Sequence, residues 1–248
     1  MKKAWHAFWM CFGMFCGVPC PLRVWDEAAR GAMIACLPLV GGVIGGLWAL
    51  ALWLCRLLAL PAGVGAAILC AAPWLLSGCI HLDGYLDCCD AVFSRRDLKK
   101  RREILKDPHT GSFAVIGMAL LAMAGYGLWR SAGACAYLPL ILLPVVTRAC
   151  AAVAVACLKP MDTSQYAGAF QQGRRWGRLI LPLLCLALGV ILPAVLQGRG
   201  GLAPLAGACG YWVAVWYGTR QLGGVSGDVS GFALTLGELA GVAALTLL

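Results

Sequence analysis

Residues 32–55 read AMIACLPLVGGVIGGLWALALWLC, an apolar stretch without a charged side chain. A helix over these residues is about 36 Å long, at about 1.5 Å of rise per residue. This length is sufficient to cross the hydrocarbon core of a bilayer, which is about 30 Å thick. The stretch therefore predicts a membrane-spanning helix.

The rest of the chain has the same character. Apolar residues make up 61% of its 248 residues and charged residues only 12%, against roughly 25% charged residues in soluble proteins. Further apolar stretches of spanning length lie at 57–80, 112–129, 132–157, 179–197, 201–219 and 231–248. We therefore predict an all-α, polytopic integral membrane helical bundle. It has about seven transmembrane helices, within a range of six to eight, in a single domain over residues 1–248.

The first 22 residues begin with a basic pair and a short apolar run, as a signal peptide does. No small-residue cleavage pattern follows the run, and His6 and several aromatic residues interrupt it. An interfacial or re-entrant helix, with Trp5 and Trp9 at headgroup depth, is the better interpretation.

The basic residues predict the orientation of the bundle. The segment 95–106 alone holds seven of the twenty Lys and Arg residues, and the other segments on the same side of the predicted spans are also basic. Cytoplasmic loops carry such an excess, so this side faces the cytoplasm. The same asymmetry accounts for the net charge of +9, so no nucleic-acid partner is needed to explain it.

The acidic residues gather on that same side. The segment 81–112 holds six of the eleven Asp and Glu residues, whereas Glu238 lies within a predicted span. A protein that carries ions or substrates across a membrane is expected to place ionisable groups at mid-membrane depth. The distribution favours chemistry on cytoplasmic substrates, in active-site loops at that face.

Three of these carboxylates share one helix face. In a helix over 82–94, Asp83, Asp87 and Asp90 stand at positions i, i+4 and i+7, so they point within one narrow sector. Oxygen ligands suit a hard cation such as Mg²⁺, and Gly84 allows a ligand or another backbone to approach closely. A solvated acidic face, neutralised by the basic run after it, is the alternative.

The residues after the basic run suggest proton transfer. Pro108 fixes a turn in which Asp107 could supply a fourth metal carboxylate and His109 could act as a general acid or base. A plain juxtamembrane turn is the alternative. His81 lies nearly opposite the aspartates, which favours a hydrogen-bonding role at the start of the helix.

Two further cytoplasmic loops contain polar residues that could contact a substrate. The glycine-rich segment 220–231 contains Arg220, Ser226 and Asp228, and its backbone N–H groups could face an anion. The segment 159–175 carries Asp162 and a basic end.

Several motifs together resemble the cobalamin synthase family, the adenosylcobinamide-GDP ribazoletransferases. They are FGMFCGVPCP at 12–21, PLVGGVIGGL at 38–47, HLDGYLDCCDA at 81–91, EILKDPHTGSFAVIGM at 103–118, LPVVTRACA at 143–151 and RQLGGVSGDVSGF at 220–232. The resemblance implies transfer of the cobinamide-phosphate moiety of adenosylcobinamide-GDP to α-ribazole, which has a free 5′-hydroxyl, or to α-ribazole 5′-phosphate. The products are adenosylcobalamin, or its 5′-phosphate, and GMP.

The resemblance also implies an Mg²⁺-dependent enzyme in the cytoplasmic (inner) membrane of a prokaryote, in contact with membrane lipid. It allows a homo-oligomer or a complex with other corrinoid-pathway enzymes. The implied metal ligands are Asp83, Asp87 and Asp90, the candidate catalytic residues are Lys106, Asp107 and His109, and the candidate substrate-binding residues are His81, Arg148, Arg220 and Asp228.

The sequence departs from the family pattern at two positions. Cys88 replaces a common threonine, which changes at most a hydrogen bond beside the aspartates. Gly17 replaces a common arginine, which leaves the N-terminal segment without one cation that could contact phosphate.

Two other functions remain open on the sequence alone. A CDP-alcohol-type phospholipid phosphotransferase would use a similar aspartate motif, but the D-G-x-x-A-R sequence of that class is absent after Gly84. A divalent-cation transporter would use Arg148 and Glu238 within the membrane.

Overall fold

The computed structural model describes residues 2–133, 135–161 and 176–248, and these residues form helices without any β-strand. The α-helices are α1 (Lys2–Phe15), α2 (Glu27–Met33), α3 (Leu37–Leu57), α4 (Ala62–Leu76), α5 (Ile80–Phe93), α6 (Leu98–Ile104), α7 (Ser112–Ser131), α8 (Tyr137–Cys157), α9 (Ile180–Gln197), α10 (Ala203–Leu222) and α11 (Gly227–Leu247). Short 3-10 helices lie at Ile34–Cys36, Trp176–Arg178 and Gly198–Leu202. The predicted all-α fold is confirmed.

Five helices of the described part are long and apolar enough to cross a membrane. They are the continuous helical segment Glu27–Leu57, which ends in α3, and the helices α7, α8, α9 and α11. They coincide with five of the predicted apolar stretches, which confirms a multi-pass membrane protein.

The other two predicted spans need correction. The stretch 57–80 contains only the 15-residue helix α4, and α5 leaves it at an angle of 94°, so the two helices form at most one broken span. Gly78 and Cys79 make this bend with φ values of +64° and +61°. The stretch 201–219 forms the 20-residue helix α10, which is not among the helices apolar enough to be candidate spans. Within the described residues there are thus five or six candidate spans, and six lies at the lower end of the predicted range of six to eight.

Small residues bring the helices close together. A Cβ atom on Gly41 or Gly45 of α3 would collide with the carbonyl oxygens of Pro144 and Ile141 on α8. Small residues at helix contacts are typical of membrane bundles, where close backbone packing replaces much of the hydrophobic driving force. The pairs α3–α8, α10–α11 and α5–α11 make the most extensive contacts, and the last of these pairs builds the candidate site.

The N-terminal helix α1 packs on α2 and buries Ala7, Met10 and Cys11, while Trp5 is exposed. Nδ1 of His6 lies 2.9 Å from Oδ2 of Asp26, and the other oxygen of Asp26 accepts a hydrogen bond from the backbone of Ala28 at the start of α2. The hydrogen bond with His6 holds the pKa of Asp26 below its usual value. The predicted N-terminal helix is present, and its place at the bilayer interface stays a prediction.

Candidate active site

The helix that carries the three aspartates extends over Ile80–Phe93, two residues earlier at its start than predicted. Asp83 is exposed, and Asp87 and Asp90 are half-buried. The negative charges of Asp83, Asp228 and Asp90 all act on Asp87. The predicted acidic face therefore exists, and a carboxylate from a distant part of the sequence joins it.

Asp228 reaches this face because α5 and α11 touch backbone to backbone at Gly84. A Cβ atom on Gly84 would lie 2.8 Å from Cα of Asp228 and 3.0 Å from its carbonyl oxygen. The close approach predicted for Gly84 is thus made by another backbone. Asp228 is a predicted substrate-binding residue, and its place beside the aspartates of α5 could not be predicted, because spacing along one helix carries no information about a second helix.

The loop before α11 fixes the position of Asp228. Gly223 and Gly224 have φ values of +82° and +159°, which favour glycine. The next residue, Val225, donates its N–H to the carbonyl of Lys159 and accepts from the N–H of Met161, both at 2.9 Å. Ser226 then caps α11, since its hydroxyl accepts from the N–H of Val229 at 3.2 Å.

The basic helix α6 supports the same loop from the side. Arg102 donates from Nε to the carbonyl of Leu222 at 2.9 Å, and Arg101 donates to the side chain of Gln221. These guanidinium groups satisfy carbonyl groups at the C-terminal end of α10, where a helix favours positive charge. Part of the basic run therefore has a structural role in addition to setting the topology.

Asp90 has a specific structural partner. Its two carboxylate oxygens accept hydrogen bonds from the N–H groups of Gly111, at 2.7 Å, and Ala114, at 2.9 Å. Asp90 thereby caps the N-terminus of α7 from a neighbouring helix. Its oxygens are engaged with backbone, so it has less capacity to bind a metal than Asp83 or Asp87.

Asp107 and His109 form an exposed pair beyond the end of α6. Oδ1 of Asp107 accepts from the backbone N–H of His109 at 3.0 Å and lies 2.7 Å from Nδ1 of its ring. The backbone N–H and then the ring hold the pKa of Asp107 below its usual value. Lys106 is also exposed and lines a surface cavity of about 520 Å³ beside α6.

Two candidate substrate-binding arginines lie elsewhere. Arg148 is 1% exposed and forms an ion pair with Glu238 of α11, so its charge is neutralised within the bundle. Arg220 is exposed and stacks over the ring of Trp216, with 4.9 Å between the guanidinium carbon and the ring centroid. The structure brings neither of them into contact with the aspartates.

His81 stacks on Phe15 of α1, with ring centroids 5.9 Å apart and planes 10° apart. Its Nε2 is buried and has no hydrogen-bond partner among the described residues. Asp162 and the rest of the segment 162–175 lie outside the described residues.

The donor atoms of the aspartate cluster suit a hard cation. Among the described residues, no three His, Cys, Asp or Glu side chains stand as a ready-made set of metal ligands. Mg²⁺, however, usually takes one or two protein carboxylates and completes its shell with substrate phosphates and water. Asp83, Asp87 and Asp228 offer carboxylates of this kind. Burial disfavours the charged forms of Asp87 and Asp228, and the negative charges of neighbouring aspartates disfavour them further, so a compensating cation would stabilise them.

Comparisons with known proteins show which family the chain resembles. The sequence profile of the family described as cobalamin-5-phosphate synthase matches residues 7–246. Two relatives named adenosylcobinamide-GDP ribazoletransferase come from Clostridium botulinum (strain Alaska E43 / Type E3) and Deinococcus radiodurans. The first is 33% identical over 98% of this chain and 97% of its own length. The second is 38% identical over 82% of this chain and 71% of its own length.

A third relative of the same name, from Lachnoclostridium phytofermentans, is 31% identical over 94% of this chain and 90% of its own length. No solved structure matches the chain. The matches confirm the resemblance seen in the motifs, and they favour the transferase over the phospholipid synthase and the cation transporter. The chain belongs to the cobalamin-5-phosphate synthase family.

Proposed function

We propose that Asp83, Asp87 and Asp228 form the catalytic centre at which this membrane enzyme transfers cobinamide phosphate from adenosylcobinamide-GDP to ribazole. The observation that carries the proposal is the contact of α5 with α11 at Gly84, which adds Asp228 to the two aspartates of α5. Carboxylates in such a cluster repel one another unless cations or protons compensate them. A pyrophosphate substrate that arrives with a divalent cation provides this compensation.

The chemistry requires one substitution at phosphorus. A ribose hydroxyl of the acceptor attacks the phosphorus that bears the cobinamide, and a new O–P bond forms. The P–O bond to GMP breaks, and GMP leaves with the electron pair. The hydroxyl proton passes to a base. Asp107 and His109 are the candidates because they form a hydrogen-bonded pair just before Gly111, whose N–H is bonded to Asp90.

Mg²⁺ is the proposed cofactor. Bound at the aspartates, it would neutralise negative charge on the pyrophosphate oxygens. Asp83, Asp87 and Asp228 are the proposed ligands, and Asp90 is the helix cap that orients the start of α7 beside them. Lys106 remains a candidate for phosphate contact because it is exposed and directly precedes Asp107 in the chain.

We place the enzyme in the cytoplasmic membrane with this centre facing the cytoplasm. The excess of Lys and Arg on the side of the aspartates supports the orientation, and the relatives named above are bacterial.

The proposal is tested with purified protein in lipid vesicles, supplied with adenosylcobinamide-GDP and α-ribazole in the presence of Mg²⁺ or EDTA. We expect GMP and the corrinoid product to appear together, and only with Mg²⁺. Product formation in EDTA would contradict the cofactor assignment. An absence of product from folded protein with Mg²⁺ would contradict the transferase assignment, and CDP-diacylglycerol with an alcohol acceptor would then be tested.

A further inference from the structure

The basic helix α6 has a cavity on its surface. Its volume is about 520 Å³, and its walls are formed by Leu98, Lys99, Arg102, Glu103 and Lys106. We call it the α6 cavity. Volumes of roughly 300–1,000 Å³ are typical of sites that hold small organic groups, so the cavity is large enough for a ligand of that size.

The charges around the α6 cavity favour an anion. Lys99 and Lys106 are exposed, and neither forms an ion pair with another described residue. Glu103 is the one acidic residue among the described residues that line the cavity, and Lys100 donates to its carboxylate at 3.0 Å. Lys100 thus balances Glu103, and the charges of Lys99 and Lys106 remain for a ligand. Lysine ammonium groups commonly bind phosphate.

Neighbouring helix ends indicate that α6 lies at the depth of lipid headgroups. The candidate span α7 begins at Ser112, soon after α6 ends. On its other side, α6 is hydrogen-bonded to Gln221 and Leu222, the last residues of α10. The last two turns of α10 expose Trp216 and Tyr217, and exposed Trp and Tyr side chains are typical of the interface between membrane and water.

The walls of the α6 cavity also touch the loop that leads to Asp228. A Cβ atom on Gly223, where this loop begins, would lie 3.4 Å from Cδ2 of Leu98, and the guanidinium group of Arg102 lies closer still. Arg102 also donates to the carbonyl of Leu222 at 2.9 Å. A ligand in the cavity therefore contacts side chains that support this loop.

We infer that the α6 cavity binds the phosphate headgroup of an anionic phospholipid. The inference goes beyond the proposed transferase and does not depend on its chemistry. Lys99 and Lys106 complement the charge of the headgroup, and the exposed Leu98 suits the apolar part of the lipid next to it. A topology signal needs only the number of basic residues in a loop, whereas a headgroup site needs them around a cavity at this depth.

Native mass spectrometry of the purified full chain in detergent tests the inference directly, by titration with phosphatidylglycerol or phosphatidylcholine. We expect the wild type to bind phosphatidylglycerol at least about tenfold more tightly than phosphatidylcholine, and this preference to decrease as ionic strength rises. The double variant Lys99→Gln/Lys106→Gln should weaken phosphatidylglycerol binding about 25-fold, because each lysine at an anionic surface contributes about fivefold. Equal phosphatidylglycerol binding by this variant and the wild type would overturn the inference.

Two controls separate the α6 cavity from charge in general. Lys99→Arg keeps the positive charge and should bind phosphatidylglycerol as the wild type does. Arg130→Gln removes an exposed charge at the far end of α7 and should also leave the binding unchanged. A loss in Arg130→Gln as large as that in Lys99→Gln would show that net charge, and not the cavity, selects the lipid.

Competition with GMP distinguishes a lipid headgroup from the phosphate of a soluble ligand. If GMP releases phosphatidylglycerol from the wild type, the α6 cavity is a nucleotide site and the inference fails. If phosphatidylglycerol stays bound and raises the thermal midpoint of the wild type more than that of Lys99→Gln/Lys106→Gln, the lipid assignment is supported. A protein that binds phosphatidylglycerol in this way but transfers nothing supports the inference while the proposed function fails.

Discussion

At the scale of single residues, aspartates on one helix face have different roles. Asp90 points both oxygens at the backbone of α7, whereas Asp87 is surrounded by the charges of Asp83, Asp90 and Asp228. Periodicity along α5 predicts the shared face but not this division. The partners Gly111 and Ala114 are more than twenty residues away, and only the packing of α5 on α7 brings them to Asp90.

The capping role of Asp90 predicts a loss of stability on truncation. Asp90→Ala should lower the free energy of unfolding by about 1 kcal/mol, because two N–H groups of the first turn of α7 lose their acceptors. Asp90→Asn keeps one acceptor oxygen and should lose less. Thermal unfolding in detergent measures both variants. Asp83→Ala is the control, and an Asp90→Ala variant as stable as this control would contradict the role.

The Asp107–His109 pair predicts a change in pH dependence. In the folded protein the pKa of Asp107 is lowered, so its carboxylate stays ionised to lower pH than usual. His109→Gln removes the ring and should raise the pKa of Asp107, although the backbone hydrogen bond remains. If the carboxylate accepts the proton, the acid limb of kcat/KM moves to higher pH in this variant. An unchanged pH–rate profile would remove the pair from catalysis.

The arginines have partners within the protein that the sequence alone does not reveal. Arg148, a predicted substrate contact, pairs with Glu238, 90 positions further along the chain. Arg220 stacks on Trp216 of its own helix. A sequence shows that an unpaired arginine in a membrane span needs a partner, but it does not show whether the partner is a substrate or another helix.

At the scale of helices, the site depends on contacts made by glycine and on helix ends. Gly84 allows α5 and α11 to touch, and Arg101 and Arg102 hold the end of α10 from which the loop to Asp228 begins. These interactions fix the position of one helix backbone against another. Substitutions at these contacts should therefore affect turnover, even where the side chain does not touch the substrate's phosphates.

Gly84→Ala tests the contact between α5 and α11. The added methyl group would lie 2.8 Å from Cα of Asp228, so the helices must separate and the aspartates move apart. We expect kcat to fall at least about tenfold and the thermal midpoint to decrease. Gly46→Ala on α3, where a Cβ meets nothing within 4 Å, is the matched control. Similar kcat values for the two variants would show that the contact does not position the site.

Apolar stretches predicted the long helices well, because burial in lipid requires both length and apolarity. They did not predict the bend between α4 and α5. The residues that make it, Gly78 and Cys79, lie within an apolar run, and hydropathy does not distinguish a straight helix from a bent one. Cys79 has a positive φ although it is not glycine, so its residue type does not mark the bend in the sequence.

At the scale of the whole molecule, the ends of the helices that carry the aspartates lie on one side of the bundle. Asp228 starts α11, Asp90 caps α7, and α6 contacts the end of α10. The basic residues of 95–106, which predict the orientation, lie on the same side as the proposed catalytic centre.

Labelling with a membrane-impermeant maleimide tests this arrangement. Asp97→Cys, at the start of α6, should react only from the cytoplasmic side, and Leu58→Cys, at the opposite end of α3, only from the other side. Cys79, Cys157 and Cys209 are exposed in the parent chain, which therefore provides the background. Reaction of Asp97→Cys from outside the cell would contradict the orientation.

The proposed catalytic centre consists of three carboxylates from two helices. It is tested most directly by measuring transferase kcat and thermal stability together for Asp83→Asn, Asp87→Asn and Asp228→Asn, with the exposed Glu27→Gln as the control. We predict that each Asn variant loses at least about 100-fold in kcat. Each should melt no earlier than the wild type, because the repulsion between carboxylates is relieved. A folded Asp87→Asn or Asp228→Asn variant with the kcat of the wild type would contradict the claim.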